Sequence, residues 1–148
     1  MSADIITIAE AVERALYAGY AGMNCVVSRE WVPFDKLEDL ETMQIIVRPD
    51  GFTTVPETRT DDLERCRIEI AFEKRTPSTA VELIDEWVRL MITNHRRLRG
   101  LLPRDVDGAR RLDCQVSLLY SPERLTGEQV FMGLINATYD LEAEVDTR

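Results

Sequence analysis

LERCRIEIAFEKRTPSTAVELIDEWVRLMITNHRRLR, residues 63–99, is the stretch whose reading decides the fold. Its first part alternates with a period of two. Cys66, Ile68, Ile70 and Phe72 point one way, and Arg65, Arg67, Glu69 and Glu73 point the other. Arg75 to Thr79 breaks that strand at Pro77 and opens a helix, in which Thr79 and Glu82 fit a capping box. Val81, Ile84, Val88 and Met91 follow at helical spacing, with Leu83 and Trp87 beside them, and Gly100 is placed to stop the helix after Arg99. A one-faced strand leading into an amphipathic helix is the seed of a two-layer core.

Upstream, residues 4–18 read as a helix with the stripe Ile5, Ala9, Val12 and Leu16, capped by Ser2 or Asp4 and ended by Gly19 and Gly22. Residues 24–34 read as a strand closed by Pro33, and residues 35–41 as an acidic connector in which Leu37 and Leu40 fit one helical turn. Residues 42–48 form a strand with Met43, Ile45 and Val47 on one side, and Gln44, Ile46 and Arg48 on the other. Pro49, Asp50 and Gly51 end it in a turn. Residues 50–62 then read as an extended hairpin loop, ending in Asp61 and Asp62.

Downstream of residue 99, residues 101–108 are a loop. Residues 111–120 are a strand whose Leu112, Cys114, Val116 and Leu118 share a face. Ser121 and Pro122 have the cap-then-proline pattern of a short helix that Gly127 closes. The final strand, residues 128–144, carries Phe131, Ile135, Ala137, Tyr139 and Leu141 on one face, with Gly133 in register. Val130, Met132 and Leu134 make the start of its other face apolar, which calls for cover there, from a neighbouring subunit for example. Residues 142–148 form an acidic tail. The order α-β-β-β-α-β-β implies an α+β fold: an antiparallel sheet with the N-terminal helix and the long central helix packed on one face.

The 148 residues fit a single domain, 1–148, with 45% hydrophobic and 30% charged content. A net charge of −9 disfavours general nucleic-acid binding. Cys25, Cys66 and Cys114 are odd in number, widely spaced and set among apolar residues, so they read as buried reduced thiols. No basic, apolar leader and no membrane-length apolar run is present, which implies assembly in the cytoplasm without a membrane.

Little in the sequence points to chemistry. The single histidine, His95, lies at a helix end among arginines, where the dipole favours a cation. There is no nucleophile elbow, phosphate-binding loop or dinucleotide fingerprint. Asp105 and Asp107 lack the further ligands of a calcium loop. Glu69 and Glu73 share a face as a metal-dependent nuclease would want, but Lys74 points to the opposite face and Arg65 and Arg67 share theirs. A polar subunit-facing or lumen-facing row fits better. No catalytic residue, metal ligand or cofactor site is expected. Two charge patches stand out. Residues 35–64 hold nine acids against three bases, and residues 96–111 hold six arginines against two aspartates. Opposite patches on one chain suit a head-to-tail ring. The candidate interface residues are therefore Asp61, Asp62, Arg65, Arg67, Glu69, Glu73, Arg96, Arg97 and Arg99.

Three stretches carry a likeness to a known family. The first helix leads to Arg29-Glu-Trp31-Val-Pro33, followed by residues 37–40 and 45–49. Asp61 and Asp62 lead into residues 67–74 with a helix directly after. Tyr120 to Leu125 precedes a long last strand. In this order and spacing the chain resembles the small tail-terminator (tail-completion) and neck proteins of tailed bacteriophages and prophages. The resemblance implies a structural, non-enzymatic virion protein of the tail or neck, forming a hexameric ring. Such a ring caps the tail tube protein and joins it to the head-tail connector or stopper, while DNA passes through the lumen without specific binding. A head-side stopper is the neighbouring reading. A small nuclease using Glu69 and Glu73, or an adaptor working through the 50–62 loop, are readings from other classes.

Overall fold

The computed structural model describes residues 4–32, 40–56 and 62–142. Its elements are α1 (Ile5–Gly19), β1 (Cys25–Arg29), β2 (Met43–Pro56), β3 (Asp62–Arg75), α2 (Val81–Leu101), β4 (Asp105–Val106), β5 (Ala109–Leu118), α3 (Pro122–Glu128) and β6 (Val130–Glu142). The strands form one six-stranded sheet in the order β1-β2-β3-β6-β5-β4. The class is α+β, as the sequence implies, but the sheet is mixed rather than antiparallel: β1 runs parallel to β2, and the other pairs are antiparallel. The chain between β1 and β2 is long enough to return to the starting end of the sheet, which a tight hairpin cannot do. A two-residue strand, β4, and α3 also join the expected order.

The stretch 63–99 is a strand followed by a helix, and its alternating apolar residues face the core as read. Cys66, Ile68, Ile70 and Phe72 are fully buried, and they face a core built with Ile8, Ala9, Val12 and Leu16 of α1 and Met91 and Leu98 of α2. On β6, Phe131, Ile135, Ala137, Tyr139 and Leu141 complete that layer. Met91 lies over Gly133, where a Cβ would meet its sulfur and terminal methyl. Asp4 caps α1, its carboxylate accepting from the Thr7 amide at 2.8 Å. Tyr20 closes α1 and donates its hydroxyl to Asn94 of α2 at 2.9 Å, so the two helices are tied by one buried polar contact.

Several boundaries move for identifiable reasons. The expected turn at residues 49–51 is a register shift inside β2, which continues as the paired arm to Pro56. The start of α2 is capped by no side chain. Its N-cap is Ala80, and the Ser78 hydroxyl accepts from the Ala80 amide instead of Thr79 forming a capping box. Val81 is accordingly exposed, and Gly100 lies inside the helix. A second shift in β5, between Arg111 and Asp113, turns Leu112 out to solvent, off the face that Cys114 shares with the core. α3 is longer than one turn. Ser121 accepts from the Arg124 amide, and Gln129 in the left-handed region, rather than Gly127, closes it. At the apolar start of the second face of β6, Val130 is buried and α3 packs against the strand, while Met132 and Leu134 are half-buried. The helical turn expected at residues 35–41 lies outside the described residues except for its end, where Leu40 is buried. The acidic tail beyond Glu142 lies outside them as well.

Burial pushes the thiols of Cys66 and Cys114 up to about 11, so both are protonated near neutral pH, and all three cysteines are free.

Phe72 is fully enclosed between the sheet and the helices. Phe72→Ala is expected to lower stability by about 3–5 kcal/mol, read as a shift in the urea unfolding midpoint.

Candidate functional site: the polar sheet face and the arginine cleft

The face of the sheet opposite α1 and α2 is polar across its centre, and its charges are paired by register. Arg65 stands directly across from Asp140 and makes two bonds to its carboxylate, at 2.7 and 3.1 Å. Arg48 stands across from Glu69, with Nε 3.4 Å from Oε2. Arg67 reaches Asp50, the residue left over by the shift in β2, at 2.8 Å. Opposite charges placed directly across a ladder stabilise the pairing, so the row is first of all a device of the sheet itself.

Glu73 is the exception in burial. It is fully enclosed and paired with Arg124, which α3 carries over the end of the sheet. The guanidinium also holds Glu128 at 2.6 Å, while Leu125, the next residue of α3, enters the main core. α3 thus straddles the end of the sheet, giving one face an aliphatic residue and the other a counter-charge. Glu69 is half-buried, and loss of water raises its carboxyl above the ordinary range, an effect that Arg48 partly offsets.

The residues singled out from the sequence fall on two surfaces. Arg65, Arg67, Glu69 and Glu73 lie together on the polar face. The Asp62 backbone begins β3 beside them, while Asp61 and the Asp62 side chain lie outside the described residues. Arg96, Arg97 and Arg99 end α2 on the other side. Arg97 sits over the Tyr20 ring at 5.1 Å, Arg96 is exposed, and Arg99 lines a cleft with Arg104, Arg110 and Arg111. Among the described residues, Glu69 and Glu73 therefore lie away from Arg96, Arg97 and Arg99, while Arg65 and Arg67 share the face of the two glutamates. Sequence reading missed the partners Arg48, Asp50, Asp140 and Arg124. The first and third were recoverable, since alternation already places them on the polar face once the strand register is known. Arg124 gave no such signal, because its role depends on where α3 crosses the sheet.

Glu69 and Glu73 do not form a metal-binding pair: one is turned to Arg48 and the other is enclosed under Arg124. Among the described residues no cluster of three or more His, Cys, Asp or Glu side chains has the arrangement of a metal site, and no helix is long and apolar enough to cross a membrane. The sequence matches no protein-family model, and no curated protein matches it.

Two measurements probe this face. Arg124→Met leaves the Glu73 carboxylate buried without its counter-charge and is expected to cost about 3–5 kcal/mol, whereas the double change Glu73→Met/Arg124→Met recovers most of that loss in urea unfolding. The folded form holds the Glu69 proton more tightly than the unfolded chain does. Its contribution to stability is therefore full below the unfolded-state value and is lost as pH rises through the raised folded value. Wild type is expected to lose stability relative to Glu69→Gln as pH rises from about 4 to about 7, and the opposite slope would refute the assignment.

Proposed function

We propose that this chain is a structural ring component of the tail or neck of a tailed phage, with tail terminator as the specific role and a head-side stopper as the alternative station. The observation that carries this reading is the outer edge of β2, left unpaired among the described residues, beside the polar sheet face. β1 pairs with Met43–Val47 only, and no described strand pairs with the outer edge of β2 from Arg48 to Pro56. The segment carries Pro49 and Pro56, and Phe52 on it is 56% exposed. An arm of this kind, anchored at its base and open along one side, suits contact with a neighbouring copy.

Charge favours the same arrangement. The polar face and the arginine-rich end of α2 lie on different sides of the protomer, so they can meet only between copies, which is the requirement of a head-to-tail, ring-closing interface. The net charge of −9 fits a lumen through which DNA slides without being held, since phosphate attraction comes from lysine and arginine. The resemblance in the order of the N-terminal helix, the Asp61–Lys74 stretch and the Tyr120–Leu125 turn supplies the identity of the particle. The ring needs no active site, cofactor or metal, and its partners are the tail tube protein and the head-tail connector.

Light scattering of the purified chain, alone and mixed with tail tubes, tests this. The expected result is a ring of about six times the 17.0 kDa protomer, or capping of tube ends seen by negative-stain imaging. A monomer at high concentration that leaves tube ends bare would overturn it.

A further inference from the structure

Between the C-terminal turns of α2 and the outer edge of β5 lies a cleft of about 480 Å3. Arg99 comes from the helix, Arg104 from the connection after it, and Arg110 and Arg111 from the strand; the lining carboxylate is Asp113. We infer that this cleft is a binding site for an oxyanion with clustered phosphate charge. The site is built from one protomer alone, and because Arg99 also belongs to the ring contact proposed above, phosphate and a neighbouring copy would compete for it.

The arginines of the sheet differ sharply from those of the cleft. Arg48, Arg65, Arg67, Arg75 and Arg124 each hold a carboxylate of their own chain. Among the described residues, no carboxylate lies within ion-pair distance of Arg99, Arg104, Arg110 or Arg111, although the chain as a whole has a large excess of acids. Four like charges converge on one concavity whose lining holds a single carboxylate, Asp113. Guanidinium forks match the planar edges of phosphate oxygens, and a phosphoryl group brings between one and two negative charges in a compact volume, more than a single carboxylate does.

The walls are held rather than left to side-chain drift. Arg111 donates to the carbonyls of Leu102 and Arg99 at 3.0 and 2.9 Å, locking the strand to the end of α2. His95 Nε2 meets the Cys114 carbonyl at 2.7 Å, and the Arg111 amide donates to the Arg104 carbonyl at 2.9 Å. Arg99, Arg104 and Arg110 are left as exposed arms around this fixed base. The shift at Leu112 lies in the pairing of β5 with β6 and bends β5 locally, which disfavours an added strand on its outer edge and favours a compact anion over an extended acidic peptide.

Calorimetric titration of the full chain at low salt, with inorganic tripolyphosphate as the probe and a short labelled oligodeoxynucleotide in a parallel arm, tests the site. One tripolyphosphate per chain is expected, weakening as salt is added, with amide shift changes concentrated at residues 112–115. Arg104→Ala/Arg110→Ala should weaken binding at least about tenfold, while Arg89→Ala, an exposed arginine elsewhere on α2, leaves it unchanged. Tighter binding of the oligonucleotide than of tripolyphosphate identifies a nucleic-acid backbone as the source, and the reverse identifies a free phosphate compound. The site is overturned if neither probe binds, if the double variant binds as wild type does, or if a peptide of residues 35–64 binds more tightly than tripolyphosphate.

Discussion

A strand paired on both edges has no freedom in where its side chains go, and β3 imposes that constraint on everything around it. It lies between β2 and β6, and its period of two sends four fully buried apolar residues to one face and its charges to the other. A slip of one residue would exchange the faces. The helices must therefore sit on the Cys66–Phe72 side, and every charge on the far side must find a partner on a neighbouring strand or on α3. The ion pairs of the polar face are the second half of that requirement.

The apolar half was legible in the sequence. Ala9, Val12 and Leu16 on α1, the alternating residues of β3 and the inner face of β6 are buried where the periodicities place them, because one buried face leaves a strong regular trace, while Ile8 rather than the half-buried Ile5 completes the α1 stripe. The parallel pairing of β1 was not legible, since period-two alternation carries no information on strand direction. The continuation of β2 past residue 51 was hidden by Pro49, Asp50 and Gly51, which are turn residues in most settings and here mark an irregularity on an edge strand. Thr79 was misleading in a similar way: the capping-box spacing was present, but Ser78 took the position near the helix start.

The candidate surfaces were legible in part. Charge counts along the chain located the basic segment but not its shape. That the arginines from Arg99 to Arg111 line one cleft depends on α2 passing the outer edge of β5, a tertiary fact without a local signature. Charge balance within segments also misled at Glu73, whose alternation put it on an open polar face although α3 closes over it. Short elements such as α3, fixed by Ser121 and Pro122, decide which part of a sheet face meets water.

The place of β6 in the sheet has a consequence for how the chain reaches this state. Among the described residues, β6 is the last strand in sequence, yet it lies between β3 and β5 and is the only strand joining the two halves of the sheet. During synthesis the β2–β3 hairpin can form early, but one edge of β3 stays unpaired until more than fifty further residues have emerged. Pairing across such a separation is slow, and a waiting edge beside exposed Ile68, Ile70 and Phe72 is open to pairing with another chain. Completion of the fold is thereby bound to one late event, the insertion of β6.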